Sequence, residues 1–274
     1  MFGVVTRNAE ELEWNAFDRG FYEVKDVSGR VREPTADGTN MLSCFGDNAA
    51  VADEPALGAR SADGELATRD RPYFDWSYVC PTRPGYRNGL LELVADCAAV
   101  APDVRLDDVG FPRAEYCYCD HCEEAFADSP HDDRRAWRTE VITDFVAAAA
   151  DRVPGRLSLT LYPDPYPGHL VDRSGVNVDA LAEYVDEYVV TLYDTFYGTT
   201  YWLEVIASAF RDRLPVPFSV ELYAVDVEVD RLIHAAEVVD AYAEDVFFGY
   251  DAATARAAIR RLRAEDREGV SHGE

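Results

Sequence analysis

The second half of the chain alternates between short apolar runs that end in polar or acidic residues and longer stretches with helical periodicity. The apolar runs are continuous, which is the pattern of strands that are buried on both faces of a parallel sheet. Strands are predicted at 157–162, 188–193, 217–220 and 246–250. Helices are predicted at 136–153, 178–187, 200–213, 229–243 and 252–266.

The first half is less regular but supplies four more strands. They are predicted at 3–6, 21–27, 40–46 and 104–111, with helices at 9–19 and 86–100. Eight strands separated by helices predict an α/β fold, the (β/α)₈ TIM barrel, in which chemistry lies at the carboxyl ends of the strands. An open doubly wound sheet is the alternative if the N-terminal strands do not form. We expect one domain over 1–266 and a flexible C-terminal tail over 267–274.

Residues 47–85 form a long loop after the third predicted strand. The segment is rich in Asp, Arg, Pro and aromatic residues and has no periodicity. Long irregular segments inside compact domains usually carry function. In a barrel this loop would lie over the carboxyl-terminal mouth.

The charge of the chain limits its partners and its environment. The formal net charge is −26, and Lys25 is the only lysine. An acidic, lysine-poor surface is typical of a halophilic cytoplasmic protein, because molar salt screens self-repulsion. The alternative is an acidic surface that binds a basic partner. Nucleic-acid binding is not expected, since no basic stripe could neutralise phosphates.

We also expect no signal peptide and no membrane span. A homo-oligomer is compatible with the sequence.

Three cysteines lie within six residues, at Cys117, Cys119 and Cys122. In a reducing compartment such spacing indicates a metal site or catalysis rather than disulfides. Cys80 is the best candidate for a fourth ligand, because it ends the long loop, and His121 is a weaker one. Four thiolates leave no open coordination position, so we predict a structural Zn²⁺ site. A reduced, metal-free cluster is the alternative, and the other two cysteines are predicted to be buried small hydrophobes.

Acidic and aromatic residues collect at the predicted strand ends. Sugar rings stack on aromatic faces, and hydrolysis of a glycosidic bond needs two carboxyl groups across it. The candidate catalytic acids are Asp107, Asp108, Asp194 and Glu221. The candidate substrate-binding residues are Tyr162, Asp164, Tyr193, Trp202, Tyr223 and Asp251. Strand alternation allows only one of the first two acids to face the barrel axis, and the pattern does not decide which.

Residues 78–126 resemble glycoside hydrolase family 42, the β-galactosidases. The similar features are the Cys-Pro segment at Cys80, the acidic pair that ends the fourth strand, and the cysteine run with a phenylalanine four residues on. The resemblance implies a barrel that cleaves O-glycosidic bonds and binds zinc through the four cysteines. It places the acid/base at Asp108 and the nucleophile at Glu221. Where the family has Asn-Glu, this chain has two aspartates.

Two related resemblances lead to different acids. The chain is also similar to less-characterised glycosidase-like barrels whose fourth strand ends in Leu-Asp, which implies Asp107 as the working acid. Pairing of Asp107 with Asp194 would resemble the α-galactosidase type of barrel. The leading hypothesis is therefore a glycoside hydrolase acting on a carbohydrate. The alternatives are a non-catalytic barrel that binds a carbohydrate or a partner, and another barrel enzyme such as a deacetylase or lyase.

Overall fold

The computed structural model describes residues 1–166 and 168–271, and it confirms the predicted (β/α)₈ barrel. Eight parallel strands close in chain order, with the eighth strand pairing back onto the first. The strands are β1 Phe2–Thr6, β2 Arg19–Lys25, β3 Thr39–Ser43, β4 Val104–Asp107, β5 Leu157–Leu161, β6 Glu187–Thr191, β7 Phe218–Tyr223 and β8 Val246–Gly249.

Nine α-helices are found in the described part of the chain. They are α1 Asn48–Asp53, α2 Pro84–Val100, α3 Asp120–Ala127, α4 Arg134–Ala150, α5 His169–Ser174, α6 Val178–Leu181, α7 Tyr201–Arg211, α8 Val229–Asp240 and α9 Ala252–Ser271. Helix α9 extends into the predicted tail, whose last three residues lie outside the described part. None of the described helices is both long and apolar enough to cross a bilayer.

Two predicted helices are wrong in extent. Residues 9–19 form only a five-residue 3₁₀ helix, Ala9–Glu13, because the chain turns extended at Trp14 and must return to start β2. The helix predicted at 178–187 ends at Leu181, since Glu187 already begins β6. The preceding α5 was not predicted, because its neighbourhood is rich in proline and glycine.

The barrel interior has an apolar centre between two polar layers. The central layer consists of inward-facing side chains from five strands: Val5, Phe21, Met41, Val189 and Phe247. Residues two positions further along a strand face the same side, so they form the floor of the carboxyl-terminal mouth. The larger apolar core lies outside the barrel, between the strands and the helices.

The amino-terminal face of the barrel is closed by a buried ionic network. Arg19 pairs with Glu187 at 2.9 Å and also with Asp245, both of which are almost fully buried. The hydroxyls of Ser158 and Ser219 donate to the same Glu187 carboxylate. Burial alone would raise the pKa of Glu187, but Arg19 and Ser219 hold it below its usual value. This network stabilises the end of the barrel that lies away from the mouth.

Candidate active site and metal centre

The four predicted metal-binding cysteines converge on one point. The Sγ atoms of Cys80, Cys117, Cys119 and Cys122 all lie within 4.8 Å of one another, and all four residues are buried. Zn–S bonds of about 2.3 Å in a tetrahedron require S···S separations of about 3.8 Å. The Cys80–Cys119 distance is 3.9 Å and the Cys80–Cys122 distance is 3.2 Å. The thiols are therefore placed to hold a metal ion of this size.

Polar groups around the cluster point at the sulfur atoms. The backbone N–H of Arg60 donates to Cys117 Sγ at 3.1 Å. The Thr82 hydroxyl lies 3.2 Å from the sulfurs of both Cys80 and Cys122. Such contacts orient and stabilise thiolate ligands. His121 donates instead to the carbonyl of Thr82 at 2.9 Å, so it acts outside the sulfur tetrahedron.

The donor set fits a closed, four-thiolate metal site. Four buried sulfurs leave no ligand position for water, which is the pattern of a structural rather than a catalytic centre. The site joins the end of the α1–α2 connection, at Cys80, to the segment after β4, where Cys117 and Cys119 precede α3 and Cys122 lies in its first turn. Cys44 and Cys97 are fully buried outside the cluster. Burial raises the pKa of both thiols, in keeping with their predicted role as small apolar residues.

A cavity of about 520 Å³ opens at the carboxyl-terminal mouth of the barrel. Its wall combines carboxyl groups, two arginines and aromatic rings. The carboxyl groups belong to Glu23, Asp75, Asp107 and Asp108. The aromatic residues include Trp76, Tyr78, Tyr162, Tyr193 and Tyr250. Its size and lining suit a sugar-sized polar ligand.

Both aspartates of the acidic pair border this cavity. Asp107 is the last residue of β4, and it faces inward like Arg105 two positions before it. The chain leaves the strand at Asp108, whose φ of 51° lies in the left-handed region. This turn lets the second carboxylate also reach the cavity, where Asp108 Oδ2 accepts a 2.6 Å hydrogen bond from Ser43 Oγ.

Gly46 makes room for the Asp108 carboxylate. A Cβ at this position would lie 2.7 Å from Trp76 Nε1 and 2.8 Å from Asp108 Oδ2. The Trp76 Nε1 is itself buried and has no hydrogen-bond partner in the described part of the chain. The indole N–H is therefore available at the cavity wall next to the Asp108 carboxylate.

Two carboxyl groups at the mouth retain protons to unusually high pH. Burial raises the pKa of Asp108 well above its usual value, and the charge of neighbouring Asp107 raises it further. Burial also raises the pKa of Glu23 to about 7, although its ion pair with Arg7 opposes the shift. Paired titratable groups whose environments separate their pKa values are typical of acid–base sites.

Glu221 lies beneath the cavity rather than in its wall. The residue was predicted to follow a short strand, but β7 continues to Tyr223, so Glu221 is inside the strand and fully buried. Its Oε2 is 2.6 Å from Nη2 of Arg105, which is also fully buried. Tyr193 lines the cavity and extends its hydroxyl down to donate to Glu221 Oε1.

Lys25, the only lysine of the chain, supports the same wall from behind. Its ammonium lies 2.9 Å from the carbonyl oxygen of Ser43, 3.3 Å from that of Gly46 and 3.0 Å from the Asp47 carboxylate. Three acceptors match the three N–H donors of an ammonium group. Lys25 therefore fixes the turn after β3 that orients Ser43 toward Asp108.

Several predicted site residues lie outside the cavity. Asp164 pairs with His169, while Asp194 accepts from the backbone N–H of Phe196. Asp251 caps the start of α9 by accepting from two backbone N–H groups. These contacts give each acid a local structural role.

The predicted aromatic residues divide in the same way. Tyr162 and Tyr193 line the cavity, and the ring of Tyr223 packs on Tyr193 with 5.4 Å between centroids. Trp202 packs on the hydrophobic core from α7. Glu23 and Arg7 were missed, although the position of Glu23 inside the predicted strand at 21–27, on the same face as Phe21, was a signal that could have identified it.

No protein-family model matches the chain, and no curated protein matches it. Among solved structures, the chain is similar to the Bacillus cereus spore cortex-lytic enzyme SleL at 14% identity, with a TM-score of 0.44 over 81% of this chain and 50% of that one. It is similar to a GH20 exo-β-N-acetylglucosaminidase from Vibrio harveyi at 12% identity, with a TM-score of 0.45 over 81% and 38%. A GH53 catalytic domain from Ignisphaera aggregans matches at 11% identity, with a TM-score of 0.41 over 90% and 79%. The chain thus spans half or less of the first two proteins, and the similarity concerns the barrel fold.

Proposed function

We propose that this barrel hydrolyses a glycosidic bond at its mouth, using Glu23 and Asp107 as the two working carboxyl groups. The observation that carries the proposal is the raised pKa of Glu23, about 7, in the same cavity as Asp107. The two residues come from β2 and β4, so a glycosidic oxygen can lie between them. Adjacent residues at one strand end cannot flank a bond in this way.

Each carboxyl group has a distinct part in this mechanism. Glu23 protonates the leaving oxygen, because a proton donor works best when its pKa is near the operating pH. Asp107 attacks the anomeric carbon or activates a water, according to the separation of the two groups. Asp108 stays protonated and neutral beside it, held by Ser43. Aromatic rings such as Tyr162 and Tyr250 stack on the sugar.

This proposal gives the roles of proton donor and nucleophile to residues other than those predicted from the sequence. Asp108 was expected to be the proton donor and Glu221 the nucleophile. Glu221 is fully buried and engaged by Arg105 and Tyr193, so in the proposal it supports the floor of the cavity. The test must therefore separate Glu23 from Asp108 as donors.

Leaving-group dependence provides that separation. The variants Glu23→Gln, Asp108→Asn and Asp107→Asn are assayed at molar KCl on a panel of aryl glycosides of both anomers. Loss of the proton donor should slow substrates with poor leaving groups by roughly 10²–10⁴-fold and spare activated ones. We expect this pattern for Glu23→Gln, loss on all substrates for Asp107→Asn, and a small effect for Asp108→Asn.

Asp194→Asn is the matched control, because it removes an acid at another strand end that lies outside the cavity. It should leave turnover unchanged. The leaving-group pattern in Asp108→Asn instead of Glu23→Gln would return the donor role to Asp108. Saccharide binding without turnover of any glycoside would favour the non-catalytic carbohydrate-binding barrel.

A further inference from the structure

Within the described residues, Arg173 is the arginine of the cavity wall that forms no ion pair. Arg7, the other arginine of the lining, is committed to Glu23 and lies over the ring of Tyr250. The Arg173 guanidinium makes no ion pair and donates no hydrogen bond to any residue in the described part of the chain. Acidic residues outnumber basic ones by 52 to 26, so partners are abundant elsewhere on this molecule.

The backbone around Arg173 is held in place from two directions. Arg138 Nη2 donates to the carbonyl oxygen of Arg173 at 3.0 Å. The N–H of Phe111 donates to the carbonyl oxygen of the next residue, Ser174, at 2.9 Å. The guanidinium carbon then lies 4.2 Å from the centre of the Tyr162 ring. The main chain at Arg173 is thus held by two hydrogen bonds, and the guanidinium lies against the Tyr162 ring.

Glu115 is influenced by the charge of Arg173 but forms its ion pair with Arg113. The pKa of Glu115 is lowered first by a backbone N–H and then by Arg113 and Arg173. The Glu115 carboxylate is 3.3 Å from Arg113, however, and it points into solvent with 62% of its side chain exposed. The N–H donors of the planar Arg173 guanidinium are therefore available to bind another group.

The protonation of the cavity allows that group to be an anion. The proton held by Asp108 removes negative charge that would otherwise repel it. A guanidinium binds a carboxylate with two parallel N–H···O bonds, a geometry that a neutral hydroxyl cannot match. Tyr162 keeps 54% of its surface exposed, so a sugar ring can also contact it.

We infer that the mouth takes a carboxylate-bearing sugar, a uronic acid residue, whose carboxylate binds the Arg173 guanidinium beside Tyr162. This inference rests on the proposed function, because it places the uronide next to the Glu23 and Asp107 carboxyl groups. It names the substrate class by charge and leaves sugar stereochemistry to the assay.

Binding without turnover tests the inference separately from catalysis. Calorimetry on the Asp107→Asn protein compares methyl uronides of both anomers with the neutral methyl hexosides of the same configuration. Arg173→Met removes the charge and keeps most of the apolar stem. It should weaken uronide binding by roughly ten- to a hundredfold and leave any neutral-sugar binding unchanged. Arg173→Lys should recover only part of the affinity, because it keeps the charge and loses the fork.

Arg113→Met is the matched control, since Arg113 also stacks on an exposed aromatic residue, Tyr73, but is paired with Glu115. It should change neither affinity. Equal binding of uronides and neutral hexosides, an equal effect of Arg173→Met on both, or no uronide binding at all overturns the inference. Hydrolysis of neutral glycosides without a uronide preference refutes only the inference, whereas uronide binding without hydrolysis refutes only the proposed function.

Discussion

Replacement of Glu221 by glutamine should destabilise the whole barrel. The Glu221 carboxylate and the Arg105 guanidinium are both fully buried and 2.6 Å apart. Burial alone would lower the pKa of Arg105. The neighbouring negative charges, Glu221 foremost, outweigh burial and raise the pKa above its usual value, so the guanidinium stays charged. Arg105 otherwise hydrogen-bonds through Nε to Thr160 at 3.0 Å, and its Nη1 finds no acceptor in the described part of the chain. Glu221→Gln therefore leaves a positive charge buried without its counter-ion.

The expected loss is large enough to measure directly. Removal of one partner of a buried ion pair costs about 3–5 kcal/mol. For a chain of this length, that corresponds to a fall in Tm of about 5–9 °C. Urea unfolding at molar KCl gives the free energy of unfolding for the wild type and Glu221→Gln. Glu228→Gln is the control, since Glu228 is exposed and should change stability by less than about 0.5 kcal/mol.

A double variant separates loss of the pair from loss of one charge. Arg105→Met with Glu221→Leu removes both charges and fills the space with apolar atoms, so it should recover most of the lost stability. A Glu221→Gln protein within about 0.5 kcal/mol of the wild type would refute the reasoning. If that stable variant also lost all turnover, Glu221 would be the nucleophile, as the sequence predicted.

Three further predictions follow from the same contacts. The native pKa of Glu23, about 7, lies above its ordinary 4.5. The contribution of Glu23 to stability is therefore complete below pH 4.5 and is lost as the pH rises to 7. Over this range the free energy of unfolding of the wild type should fall by up to about 3 kcal/mol relative to that of Glu23→Gln, and parallel curves for the two proteins would contradict this. Elemental analysis should give about one zinc per chain, with loss in Cys80→Ser and retention in Cys97→Ala and His121→Ala; retention in Cys80→Ser would exclude the cluster. An amine-reactive ester should acylate Lys25, which is 5% exposed, only after denaturation, and peptide mass spectrometry showing rapid labelling of the folded protein would contradict its buried position.

The sequence predicts the barrel because its strands are buried on both faces. Runs such as 157–162 are apolar on consecutive residues, and the intervening helices have regular periodicity, so local pattern and tertiary environment agree. The weaker pattern at 9–19 fails because the path of the chain between two neighbouring strands, rather than helix propensity, decides its structure. The four cysteines were predictable for a different reason: few roles other than metal binding explain three thiols within six residues.

The acid site was only partly predictable. Strand ends were expected from the last apolar residue, but β7 continues through Glu221, which is stabilised inside the strand by a long-range partner, Arg105. The location of Asp108 depends on a positive φ, which no sequence pattern at that position indicates. Glu23 could have been identified from its position inside a predicted strand, because a carboxylate buried in a barrel must be paired or protonated. Sequence position alone cannot give a pKa, since burial and neighbouring charges set it.

The four-cysteine cluster and the mouth are joined by the same two segments of the chain. The α1–α2 connection carries Trp76 and Tyr78 of the cavity wall before it reaches Cys80, and the β4–α3 connection starts at Asp108 and continues to Cys117. In molar salt the Debye length is only about 3 Å, so exposed ion pairs add little to holding such loops together. Thiolate–metal bonds are not screened in this way. A four-cysteine centre can therefore keep the aromatic wall at a fixed position relative to the acidic one under conditions where surface charges cannot.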